Sequence, residues 1–317
     1  MFKINKLIAV AVSASIFLSS CEKYDDQIPT ISGIAVANPA FSTLEGAAIL
    51  GGVAGVLSNK NPNDPGGNYT VFAPTNDAFA KLGLTNEGTL GALQPSFLTN
   101  TLLYHASNGN LLGSAINSGG SSVSAINVPR RFITRGSDKY INGSKILATD
   151  VKASNGTVHV IDKVMIATGV NIVASAQLLS TAKVFKTQEL TFLVAAVVKS
   201  GLAPVLADPA NNFTIYAPTD AAFKAAGFPT VQSVSDAPAA LLQAVLLNHA
   251  IGGGKFTSEV TATTATTAGM GTLTYGAFTD GTFTIKSKGI TTPANMVIPD
   301  ILCSNGVVHL IDKVLLP

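Results

Sequence analysis

One eleven-residue stretch occurs twice in this chain, and it constrains the fold more than any other feature. Ser154-Asn155-Gly156-Thr157-Val158-His159-Val160-Ile161-Asp162-Lys163-Val164 returns as Ser304-Asn305-Gly306-Val307-Val308-His309-Leu310-Ile311-Asp312-Lys313-Val314, identical at nine of eleven positions. Identity of that density marks an internal duplication, so each copy has to build its own core. Asn-Gly supplies a tight turn that tolerates positive φ, and the alternating apolar residues after it predict a strand.

Other landmarks recur in step. Ala73, Pro74, Thr75, Phe79, Gly83 and His105 return 144 residues later as Ala217, Pro218, Thr219, Phe223, Gly227 and His249. Thr75 and Thr219 suit helix N-caps after a strand, and the following acids favour the helix dipole. Leu98, Leu102 and Leu103, matched by Leu242, Leu246 and Leu247, give a helix one apolar face that ends near Tyr104-His105 and Asn248-His249. Phe41–Leu57 predicts a buried helix, and Asn61–Asn68 a loop. Arg131–Thr134, Tyr140–Ile141 and Phe278–Phe283 predict strands around tight turns. His159 and His309 are 150 apart, so repeat two carries six extra residues, part of them expected in Thr261–Gly269. The expected units are residues 31–168 and 169–317, joined closely through 168–180.

Net charge is formally +2, and without Lys3 and Lys6 the basic and acidic residues balance. A nucleic-acid binder needs a basic surface, so none is expected. Two cysteines exclude a disulfide framework and a cysteine zinc site. Residues 1–20 have the basic end and short apolar run of a signal peptide. Leu18-Ser19-Ser20-Cys21 resembles the lipobox of bacterial lipoproteins, making Cys21 the expected lipidation site and residues 21–30 a tether. The acidic stretch Glu22–Asp26 resembles surface-export signals of Gram-negative lipoproteins, so the expected location is the outer membrane or cell surface, with the membrane met through acyl chains.

The chain resembles the fasciclin domain family at three places in each repeat. Thr70-Val71-Phe72-Ala73-Pro74-Thr75-Asn76-Asp77-Ala78-Phe79 is similar to the first motif, and Leu102-Leu103-Tyr104-His105 to the central one, written Leu246-Leu247-Asn248-His249 in repeat two. The duplicated Asn-Gly-x-Val-His-x-Ile-Asp-Lys-Val stretch is similar to the last. The resemblance implies two tandem α+β domains, each a wedge of small β-sheets with packed helices. It also implies adhesion or matrix interaction, without enzymatic activity or a cofactor. Animal relatives meet receptors through an acidic-aliphatic segment before the last motif. Pro299-Asp300-Ile301 matches it, and Asp150-Val151 keeps the acid and the branched residue.

The four histidines form two repeat-equivalent pairs, His105 with His249 and His159 with His309. They read as metal ligands, or as buried imidazoles that fasten helix to strand; no third ligand recurs beside them, so the second reading is preferred and no metal is expected. Asp162 and Asp312 lie three residues from a strand histidine and face away from it, so they make a poor catalytic pair. Asp150 and Asp300 are the better interaction candidates, provided they lie on exposed segments. Arg130, Arg131 and Arg135 are the chain's arginines, a patch suited to anionic polysaccharide or lipid headgroups, or to defence of a strand edge. The expected function is surface adhesion with a protein or glycan partner. A glycan-capturing accessory lipoprotein of nutrient uptake is the alternative, and a metal-dependent hydrolase a remote one; oligomeric state is left open.

Overall fold

The computed structural model describes residues 28–181 and 188–317. The expected signal peptide, Cys21 and the tether up to residue 27 lie outside the described residues.

Repeat one starts with helices α1 (Ile31–Ala37), α2 (Ser42–Leu50) and α3 (Ala54–Ser58). The single helix expected over Phe41–Leu57 is broken, because Gly52 adopts φ 69° between α2 and α3. Strand β1 (Tyr69–Pro74) leads into α4 (Asn76–Ala80), whose N-cap Thr75 accepts the Ala78 N–H. Helices α5 (Glu87–Gly91) and α6 (Pro95–His105) follow, α6 opening on a proline whose missing N–H costs nothing in a first turn. Strands β2 (Ala106–Asn108), β3 (Ser121–Val123), β4 (Pro129–Arg135), β5 (Asp138–Ile141), β6 (Ser144–Ala153) and β7 (Gly156–Ile161) complete one sheet in the order β2-β1-β7-β6-β5-β4-β3. Asn142 and Gly143, at φ 45° and 84°, make a tight turn between β5 and β6.

Between the repeats, β8 (Ile166–Ala167) pairs in parallel with a strand of repeat two, Ile166 opposite Ile301. Helices α7 (Ile172–Thr181), α8 (Thr191–Ser200) and α9 (Ala203–Ala207) then repeat the opening layer. Strand β9 (Phe213–Pro218) runs into α10 (Asp220–Ala225), capped by Thr219, and on to α11 (Val231–Asp236) and α12 (Ala239–Leu247). The remaining strands are β10 (Ala250–Gly252), β11 (Thr264–Thr266), β12 (Thr272–Tyr275), β13 (Ile285–Lys286), β14 (Met296–Cys303) and β15 (Gly306–Ile311). They form a sheet β10-β9-β15-β14-β8 and a smaller one, β11-β12-β13. β11 falls in the stretch expected to hold inserted residues. The predicted hairpin at Phe278–Phe283 reduces to a turn, with Thr279 bridging Thr282 around Asp280 and Gly281.

The architecture is two tandem α+β units, each with its own core. In repeat one, Phe79, Leu90, Leu98 and Leu102 pack beneath the helices, and Phe72, Phe132, Ile141 and Ile161 fill the far side of the sheet. In repeat two, Phe192, Leu193, Phe223, Leu242 and Leu246 do the first job, and Tyr216, Leu273, Ile285 and Ile311 the second. The parallel pairing of first and last strands sets Phe72 opposite His159 and Tyr216 opposite His309 in the two repeats.

Candidate functional site

His159 and His309 lie within the duplicated strands, His105 ends α6 and His249 follows α12; all four are fully buried, and every ring nitrogen has a backbone partner. His105 Nδ1 donates to the Thr101 carbonyl at 2.6 Å, and its Nε2 accepts the Met165 N–H at 2.9 Å. His249 repeats this with Val245 and Leu315. His159 and His309 use the other tautomer: Nδ1 accepts the N–H of Asp150 or Asp300, and Nε2 donates to the carbonyl of Leu111 or Lys255. Burial lowers all four pKa values, those of His105 and His249 to about 4, so the rings are neutral at pH 7. With both nitrogens engaged, a neutral imidazole has no lone pair to offer a metal. Among the described residues no three His, Cys, Asp or Glu side chains gather as a metal site.

Other repeated polar residues also hold the fold. The Asp162 carboxylate accepts the Lys145 N–H, and that of Asp312 accepts the Asn295 N–H, each at 2.7 Å. Tyr104 hydroxyl and Asn142 amide bond each other, and Asn248, which replaces Tyr104 in repeat two, donates to the Leu315 carbonyl.

The histidine N–H donors identify a second pair of equivalent positions. β6 and β14 each change register before the last motif, and Asp150 and Asp300 stand in these bulges at φ 62° and 67°. The environments then diverge. Asp150 is exposed and accepts the Gly113 N–H at 2.8 Å, which holds its carboxyl below the usual carboxylate range. Val151 beside it is half-buried, and the outer edge of Val151–Lys152 has no partner strand among the described residues. Asp300 is buried, Pro299 half-buried and Ile301 fully buried, and Ile301–Leu302 is covered by β8. An exposed acidic-aliphatic segment at 299–301 is therefore corrected: it lies in the seam between the repeats.

Lys163 of repeat one reaches across that seam. Its ammonium lies 2.7 Å from Asp300 Oδ2 and donates to the Gly281 carbonyl at 2.9 Å, and Asp300 Oδ1 accepts the Thr257 N–H at 2.7 Å. Sequence reasoning missed Lys163. It repeats as Lys313, which instead donates to Thr292 and Pro293 within its own domain, and nothing local distinguishes the two.

The arginine patch is likewise corrected. Alternation along β4 turns Arg130 to the face opposite Arg131 and Arg135. Arg130 is 0% exposed, donates to Tyr104 O and Ser107 Oγ, and lies 5.0 Å from the Phe72 ring; burial pulls its pKa down to about 10. Arg131 donates to Gly254 O at 3.0 Å, pairs with Glu259 at 3.1 Å and covers the Phe256 ring at 4.7 Å. Arg135 donates to Val260 O at 2.8 Å and stacks on Phe278 at 3.8 Å, with Tyr140 edge-on to the same ring. Two arginines thus bind repeat two, and the third braces repeat one from inside.

A family model for the fasciclin domain matches residues 39–167 and 188–317. Transforming growth factor-beta-induced protein ig-h3 of Sus scrofa is 27% identical over 319 residues, covering 96% of this chain and 44% of that protein. The chain spans less than half the length of the mammalian ig-h3 relatives it matches. Protein sll1483 of Synechocystis is 34% identical over 142 residues, covering 44% of this chain and 75% of that protein. Among solved structures, a FAS1 domain pair from the insect cell adhesion molecule fasciclin I covers 90% of this chain and 96% of its own at 16% identity, with a TM-score of 0.39.

Proposed function

The chain belongs to the fasciclin domain family, and from that premise we propose that it is a lipid-anchored cell-surface protein mediating adhesion or matrix-type interaction. In this reading Cys21 carries the acyl anchor, the seam fixes the two domains as one presenting body, and repeat one supplies the contact face. The observation that carries it is the divergence of the acidic bulges: Asp300 is buried against Lys163, while Asp150 is exposed next to a strand edge that no strand among the described residues covers. An open hollow of about 650 Å3 adjoins Asp150 and Lys152, room enough for a partner's side chains. The partner is a surface or matrix protein.

The test has two arms. Radiolabelled palmitate is expected in the wild type and absent from Cys21→Ser. Beads coated with the protein are expected to bind surface or matrix fractions, and Asp150→Asn to weaken that adhesion about tenfold, a loss of about 1.4 kcal/mol. Asn tolerates the left-handed backbone, so this variant removes charge without adding strain. Unchanged adhesion would remove Asp150 from the contact.

A glycan partner is the second reading, favoured by a cleft of about 420 Å3 at the domain seam, lined in part by Asn127, Asn212 and Arg131. Glycan-array binding that is lost on Asn212→Ala, with Asp150→Asn neutral, would support it over the first.

A further inference from the structure

Both repeats lay their first helices over the first strand of the sheet, but they fill the space beneath unequally. In repeat one an apolar hollow of about 220 Å3 remains between α1, α2 and β1, whereas its counterpart in repeat two is about 40 Å3. The helices superpose by their anchors. Asn76 Oδ1 accepts the Thr43 N–H as Asp220 Oδ1 accepts the Phe192 N–H, and Gly52 and Gly201 follow them at φ 69° and 74°. That equivalence sets Glu45 and Ala48 where repeat two has Val194 and Val197, two branched side chains that line the smaller hollow. An apolar cavity of about 150 Å3 is known to stay dry and bind benzene, so the larger hollow is ample for a short hydrocarbon.

The polar groups at the wall select the head of such a molecule. Ser32 and Ser58 hydroxyls both donate to the Ala54 carbonyl, leaving their oxygens free to accept. Among the described residues, Glu45 is the acidic one lining the hollow, and no lysine or arginine lines it. His105 on its floor is neutral with both nitrogens engaged. A carboxylate would meet Glu45 without a counter-cation, whereas a hydroxyl has acceptors waiting. Val36 and Ile49, 63% and 64% exposed, flank the opening and can cover the chain that projects from it.

We propose that this hollow in repeat one is a binding site for a neutral single-chain lipid of medium length with a hydroxyl head, and that it rejects the corresponding fatty acid. The test is displacement of Nile red from the full chain carrying Cys21→Ser, so that no acyl group of its own competes. With 1-decanol, saturable one-to-one displacement is expected; decanoate at neutral pH is expected to bind at least about tenfold more weakly. Glu45→Gln should bring the two ligands within about threefold of each other. Glu45→Val/Ala48→Val copies repeat two, so it is expected to keep the melting temperature and lose decanol binding about tenfold or more. Absence of saturable decanol binding, equal binding of decanoate, or full binding by the filled variant would each overturn the proposal.

Discussion

Asp150 and Asp300 occupy the same bulge in the two repeats, and each donates its backbone N–H to Nδ1 of that repeat's last histidine. One carboxylate faces solvent and the other is buried 2.7 Å from Lys163 of the opposite repeat. A single ancestral landmark has therefore diverged into a contact candidate and a domain clamp.

The clamp has a measurable cost when broken. Lys163 and Asp300 side chains are 8% and 6% exposed, so removing one partner leaves a buried charge. Asp300→Ala or Lys163→Met should each destabilise the chain by about 3–5 kcal/mol in urea unfolding. The double variant should cost less than the sum of the two, because the pair is coupled. Single losses below about 1 kcal/mol would contradict a desolvated pair.

The three arginines should separate by role. Arg131→Ala and Arg135→Ala remove cation–π contacts across the seam, worth about 0.5–2 kcal/mol each, and their combination should split the calorimetric transition into two. Arg130→Ala leaves Tyr104 O and Ser107 Oγ without their donor inside repeat one, so it should lower that domain's own transition by about 3 kcal/mol or more. An unsplit transition in the combined seam variant, or an Arg130→Ala variant as stable as the parent, would contradict the assignment.

Acid should loosen the protein through its imidazoles. His105 and His249 titrate near 4 when folded, against an unfolded value of 6.5, so the unfolded chain takes up their protons first. Their contribution is complete above pH 6.5 and is lost as pH falls toward 4, on the order of 2–3 kcal/mol for each ring. The urea midpoint should fall between pH 7 and pH 5, and the fall should shrink in His105→Gln. A flat profile over that window would mean that the rings protonate in place.

The turn glycines give an internal control. A Cβ on Gly156, at φ 147°, would lie 1.9 Å from the Tyr69 carbonyl oxygen, so Gly156→Ala should cost about 3 kcal/mol or more. Gly169 has φ 71° and open space around it, so Gly169→Ala should cost only about 1 kcal/mol of backbone strain. Equal melting temperatures for the two variants would contradict the close strand approach.

Much of this was legible in the sequence because duplication marks whatever each domain needs for itself. Thr75 and Thr219 cap helices as expected. The four histidines are buried with both nitrogens bonded, but the expected helix-to-strand link is corrected: His105 and His249 tie a helix end to the segment after the last strand, and His159 and His309 tie that strand to a bulge and a loop. The Asn-Gly turn carries its positive φ at Gly156 and Gly306, but the sequence did not show the second job of Asn155 and Asn305, whose amides hold the opening helices. Contacts between repeats left no such trace. Arg131, Arg135 and Lys163 act on residues more than a hundred positions away, repeat two has no arginine, and Lys313, the counterpart of Lys163, bonds within its own domain, so repetition could not reveal them.

The central claim is that Lys163, Arg131 and Arg135 hold the repeats as one body, which buries Asp300 and leaves Asp150 to face outward. Spin labels placed at Lys60 and Lys199, each changed to cysteine in a Cys21→Ser/Cys303→Ala background, test it through the distance between domains. The account predicts a single narrow distribution in the parent chain, broadened when Lys163→Met, Arg131→Ala and Arg135→Ala are combined. A broad distribution in the parent chain, unaltered by those substitutions, would contradict it.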